Sequence, residues 1–85
     1  MLVRSQDKKI VTENINFEIY PSDYKEEVYE ITNSTVGLMG EYTSEEQALA
    51  VLDEICMFYL QDFDGVYQMP EDEEEVYERK RLFKV

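Results

Sequence analysis

A chain of 85 residues has room for one domain, and its net charge of −12, from 20 acidic and eight basic side chains, sets it against nucleic acid and anionic membrane surfaces as direct partners. Seven tyrosines, four phenylalanines and an apolar fraction of 44% exceed what a disordered acidic chain carries, so a packed core is expected. The lone cysteine excludes an intrachain disulfide, and the absence of histidine removes Ser/His/Asp and Cys/His catalysis together with most zinc sites.

Residues 2–12 read as a first strand, apolar at Leu2 and Val3 and again at Ile10 and Val11, with a tight turn or a bulge between. Ile15, Phe17 and Ile19 alternate with Asn16, Glu18 and Tyr20, the period of a half-buried strand, and Pro21 ends it. Val28, Tyr29 and Ile31 predict a third strand that closes in a turn at Asn33 and Ser34. Residues 36–42 predict a fourth, where Gly37 and Gly40 mark bulges or a close backbone approach.

A helix is predicted over about residues 44–61. Ser44 caps it with Gln47 three residues on, and Glu45 and Glu46 suit the positive end of its dipole. Ala48, Val51, Leu52, Ile55 and Tyr59 share one face at helical spacing, with Glu46, Asp53 and Glu54 turned away. Cys56, inside an apolar run, reads as a small buried hydrophobe. Asp62, Asp64 and Gly65 read as a helix stop and turn rather than a calcium loop, because the glycine falls two positions early.

Val66, Tyr67 and Met69 predict a short strand closed by Pro70. Beyond it, residues 71–75 are all acidic, and Arg79, Lys80 and Arg81 form a basic block. Residues 71–85 thus read as a charged C-terminal tail, either a short helix or a mobile segment, behind a compact domain of residues 1–70. The fold class is α+β: a small antiparallel sheet of about three to five strands, covered on one face by a single main helix.

Nothing in the spacing builds a phosphate loop or a carboxylate pair in a cleft, so neither an enzyme nor a cofactor or metal site is expected. Three readings stay open. In the first, Glu45, Glu46, Asp53, Glu54, Asp62, Asp64, Glu71, Asp72 and Glu73, with Tyr42 and Tyr67, form an acidic aromatic surface that fills the basic face of a protein partner, as a nucleic-acid mimic does. The same carboxylates also serve as a plain solvated surface. Residues 1–70 carry fourteen acidic and four basic side chains, a net of −10, so most of the charge belongs to the predicted domain.

In the second reading, Arg4, Ser5, Gln6 and Lys8 bind a nucleotide ligand, the two cations on phosphate and the two polar side chains on base or ribose. The same residues also suit a solvated hairpin. The third is a structural or regulatory homo-oligomer without ligand, for which dimerisation is a natural way to add buried surface to a small core.

Three segments, taken in order, carry a resemblance. They are Arg4, Ser5, Gln6, Asp7 and Lys8; residues 40–55, from Gly40 through Glu45, Glu46 and Ala48 to Ile55; and residues 66–70 with their acidic sequel. Together they resemble a family of short proteins, without an assigned activity, from low-GC Gram-positive bacteria and their phages and mobile elements. Residues 15–36 lie outside the resemblance. It implies a small phage- or mobile-element-encoded accessory protein, of the size and acidity of inhibitors of host defence. No apolar run approaches the length of a membrane span, so a soluble protein of the bacterial host cytoplasm, with no membrane partner, is expected.

Overall fold

Short apolar runs punctuated by turn-forming residues give six strands and one helix in the computed structural model, which describes residues 1–72. In chain order they are β1 (Leu2–Arg4), β2 (Val11–Thr12), β3 (Phe17–Pro21), β4 (Tyr29–Asn33), β5 (Gly37–Tyr42), α1 (Glu45–Leu60) and β6 (Val66–Gln68). The strands form two three-stranded sheets, ordered β2-β1-β6 and β3-β4-β5. In the first sheet β1 is central. It pairs antiparallel with β2, Val3 opposite Thr12, and parallel with β6, Val3 opposite Tyr67.

The second sheet is an antiparallel meander, with Ile31 of β4 opposite Ile19 on one side and Gly40 on the other. Asn33 shapes its tighter turn. The side-chain Oδ1 accepts the N–H of Thr35 at 2.9 Å and of Val36 at 3.3 Å, and the chain returns through Gly37 at φ +86°. That left-handed residue is where glycine carries no steric penalty. Between the pairs Ile31–Gly40 and Thr32–Leu38, Met39 is the extra residue of a β-bulge. Gly40 beside it allows a close approach, since a Cβ there would sit 2.9 Å from the Met69 methyl.

Ser44 caps α1, its hydroxyl oxygen accepting the Gln47 N–H at 3.1 Å, and Glu45 and Glu46 occupy the first turn. At the other end Asp62 N–H donates to Tyr59 at 3.1 Å and Phe63 N–H to Phe58 at 3.0 Å, with Asp62 left-handed at φ +57°. This is the Schellman arrangement, and it comes with the usual apolar clasp: the Phe63 and Phe58 rings lie 5.1 Å apart. The helix buries Ala48, Val51, Glu54, Ile55 and Phe58. They pack with Val3, Ile31, Met39, Tyr42, Tyr67 and Met69 into one core drawn from both sheets.

The α+β class and the cap-to-stop extent of the helix agree with the sequence reading, and each expected strand is present, the one read over residues 2–12 as the antiparallel pair β1 and β2. The single sheet is corrected to two, one of them holding a parallel pair. The helix is also rotated from its expected setting. Glu54 is buried at 1% exposure, Phe58 is inside, and Tyr59, expected in the core, is 52% exposed. Cys56 is exposed rather than buried, because in the run from Ile55 to Leu60 only Ile55 and Phe58 fall on the inward arc. From residue 73 onward the charged segment expected over 71–85 lies outside the described residues.

The Asp62 stop generates a prediction. A Cβ in the left-handed region is disfavoured, and a carboxylate sits poorly at the negative end of a helix dipole. Asp62→Gly is expected to stabilise the fold by about 0.5–1 kcal/mol, read as a higher denaturant midpoint at unchanged slope.

Candidate functional site

The polar segment 4–8 leaves β1 and folds back on itself. Ser5 N–H donates to the Ile10 carbonyl at 2.8 Å and Lys8 N–H to the Ser5 carbonyl at 2.9 Å, with Lys8 at φ +70°. Ser5 is buried at 1% exposure; its hydroxyl donates to Asp7 Oδ1 at 2.6 Å and accepts the Ile10 N–H at 3.0 Å. Gln6 turns to the other sheet. Its backbone N–H donates to the carbonyl of the bulged Met39 at 2.8 Å. Its side-chain amide then imitates a strand, donating to the Glu41 carbonyl at 2.9 Å and accepting the Glu41 N–H at 2.9 Å. The same nitrogen reaches the Pro70 carbonyl at 3.3 Å, which also accepts the Tyr42 hydroxyl at 2.7 Å.

Arg4 is engaged likewise, its Nε donating to Gln68 Oε1. Gln68 in turn donates to the Ser5 and Met69 carbonyls, each at 2.9 Å. Gln6 therefore ties the two sheets together, while Arg4 and Ser5 fasten β1 to β6 and to its own turn. The recess beside them, about 110 Å³, is lined by Gln6 and Asp7 from this segment but by neither Arg4 nor Lys8. Small-molecule pockets run to roughly 300–1,000 Å³. Of the four residues of the expected nucleotide site, Arg4, Ser5 and Gln6 make internal side-chain hydrogen bonds, while the Lys8 side chain is exposed.

Asp7 takes its electrostatics from this turn. The Ser5 hydroxyl, then the Lys9 backbone N–H at 3.0 Å and the Lys9 charge, hold its carboxyl below the ordinary value of 3.8.

The acidic surface survives in part. Glu45, Glu46, Asp53, Asp62, Asp64 and Glu71 are exposed. Three other members are corrected. Tyr42 and Tyr67 are fully buried, and Glu54 accepts the Tyr67 hydroxyl at 2.7 Å inside the core. A polar atom on a core position needs such a partner, and β6 supplies it from a place that spacing along the helix does not reveal. Asp72 accepts the Thr43 N–H at 2.9 Å, which gives it a structural duty, and Glu73 lies outside the described residues. Among the described residues one ion pair forms, Lys25 with Glu41 at 3.3 Å, and no cluster of three or more metal-ligating side chains is present.

Sequence reasoning missed the outward face of α1. Leu49 is 48% exposed, Tyr59 52% and Leu60 82%, with Cys56 exposed; Leu52, half-buried at the border of this face, also packs against the core. Leu49, Leu52, Cys56 and Tyr59 follow the three-and-four spacing of a helix-packing seam, and that spacing was the available signal. Tyr59 and Leu60 stand as a ridge between two recesses. One, about 180 Å³, is completed by Ile15, Ile55 and Cys56; the other, about 310 Å³, by Met1, Asp62 and Phe63.

Fold and surface together define a small α+β protein whose polar cluster is structural and whose helix shows an apolar and acidic exterior. No protein-family model, curated protein or solved structure matches the chain. Among the described residues no helix is long and apolar enough to cross a membrane.

Two predictions test this account of segment 4–8. Gln6→Ala strips partners from both Glu41 backbone groups and is expected to destabilise the fold by on the order of 2 kcal/mol in chemical denaturation. The Asp7 carboxyl, followed by NMR titration, is expected to have its midpoint below 3.8, and Ser5→Ala to move it up. Because the folded value is the depressed one, the contribution of Asp7 is present above the ordinary value and is lost as pH falls through the folded one.

Proposed function

We propose that the chain is a non-enzymatic binding protein that acts inside a bacterial cell, as a phage- or mobile-element-encoded inhibitor engaging the basic surface of a host defence or nucleic-acid-binding protein. One observation carries the reading: Glu45, Glu46, Asp53, Asp62 and Asp64 are exposed and make no ion pair among the described residues. No ion pair among the described residues neutralises these charges, so a cationic protein surface gains Coulomb energy against them and is steered toward them. Direct contact with nucleic acid is opposed by the same field.

The test is capture by the immobilised full-length chain from a bacterial lysate, repeated across a salt series. Exposed charges are screened over about 10 Å at 0.1 M salt but only about 3 Å at 1 M, so retention is expected to fall steeply with salt. It should fall similarly at low salt when Glu45, Glu46, Asp53, Asp62 and Asp64 are replaced by their amides. Retention indifferent to both changes would sink the reading.

A further inference from the structure

The outward face of α1 joins two properties that the acidic reading does not require of each other. Leu49, Leu52, Cys56 and Tyr59 recur at intervals of three, four and three residues, and Leu60 widens the band at its C-terminal end. From Leu49 to Leu60 the band runs about 16 Å along the helix. At its end the Tyr59–Leu60 ridge has a recess on each side, the more apolar one floored by Ile15 and Ile55. Leucines so exposed lose nothing in the isolated fold by being polar, and a seam at this spacing is the geometry into which a second helix sets its own apolar side chains.

The border of the band is anionic. Glu46 and Asp53 follow one edge of the outward arc, Glu45 lies at the first turn, and Asp62 lines the recess past the last turn. All four are exposed, and no cationic side chain lies on α1. A second copy of this chain would bring the same acids against them under a net charge of −12 on each molecule. A helix with lysine or arginine flanking its apolar stripe instead places opposite charges along that edge and at the ends of the band.

We infer that this face of α1 is a docking seam for a basic amphipathic helix of a partner protein, the apolar band setting register and Asp53 and Asp62 selecting the charge. The inference rests on the acidic-binder reading and narrows it to one surface and one kind of partner.

The experiment uses the full chain and a fluorescein-labelled synthetic helix with leucine at the seam positions and lysine at the flanks; its counterpart carries glutamate at the flanks. Anisotropy should report binding of the lysine helix and none of the glutamate one, and amide NMR shifts should concentrate on Leu49, Leu52, Cys56, Tyr59 and Leu60. Leu49→Ser and Leu60→Ser, both at exposed positions and checked for folding by circular dichroism, should each weaken binding by on the order of tenfold. Asp53→Asn with Asp62→Asn should flatten the salt dependence.

Shifts spread over the whole acidic surface, with both serine variants binding normally, would overturn the seam and leave the acidic-binder reading standing. Failure of the lysine helix at every salt concentration, together with salt-indifferent capture from lysate, would remove both. A dimer in sedimentation that Leu60→Ser dissolves would assign the face to a second copy. Binding that emerges only after Arg79, Lys80 and Arg81 are changed to glutamate would assign it to the basic block of the chain itself; either result overturns the proposal.

Discussion

The structure hangs on one side-chain amide behaving as backbone. Gln6 donates to the carbonyl and accepts from the N–H of Glu41, so the turn after β1 is stitched to β5 as a strand would be, although the two belong to different sheets. The bulge at Met39 frees a carbonyl for the Gln6 N–H, and the buried Pro70 carbonyl gathers both the Gln6 amide and the Tyr42 hydroxyl. Buried amide and carbonyl groups are costly when unmatched, and here each such group satisfies the next. Beside the core that the two three-stranded sheets share with the helix, this seam is what joins them by hydrogen bonds.

The same economy explains how so acidic a chain keeps a core. Burial in a domain of this size is limited, and large side chains with a polar tip have been placed where the tip finds a partner. Tyr42 reaches Pro70 and Tyr67 reaches Glu54, so two tyrosines supply apolar bulk inside and fasten β5 and α1 to the segment around β6. The carboxylates left over lie outside, joined there by the apolar band of α1.

Local structure was legible in the sequence because its causes are local. Alternation at Phe17 and Ile19, the Asn33 turn, the Ser44 cap and the stop near Asp62 each depend on a few neighbouring residues, and each is where the pattern puts it. Pairing across the chain was not legible. That β1 lies between β2 and β6, with β6 parallel to it, follows from contacts more than sixty residues apart, on which alternation is silent. The face of the helix failed for a related reason. Charge places Glu54 outside, whereas in the fold it is buried and accepts the hydroxyl of Tyr67, which arrives from β6. Arg4, Ser5 and Gln6 looked like a site because their donors and acceptors are dense; the structure spends that density on itself.

The central position of β1 also orders events in time. β3, β4 and β5 are joined by short turns and have everything needed to pair as soon as they are made. β1 emerges first but acquires its second neighbour only when Val66, Tyr67 and Gln68 exist. Closing that loop carries a larger entropic cost than closing the local hairpins, so pairing of β1 with β6 is expected to follow that of β1 with β2 and of the meander. Val3, fully buried in the fold, is covered on that side only once this pairing forms.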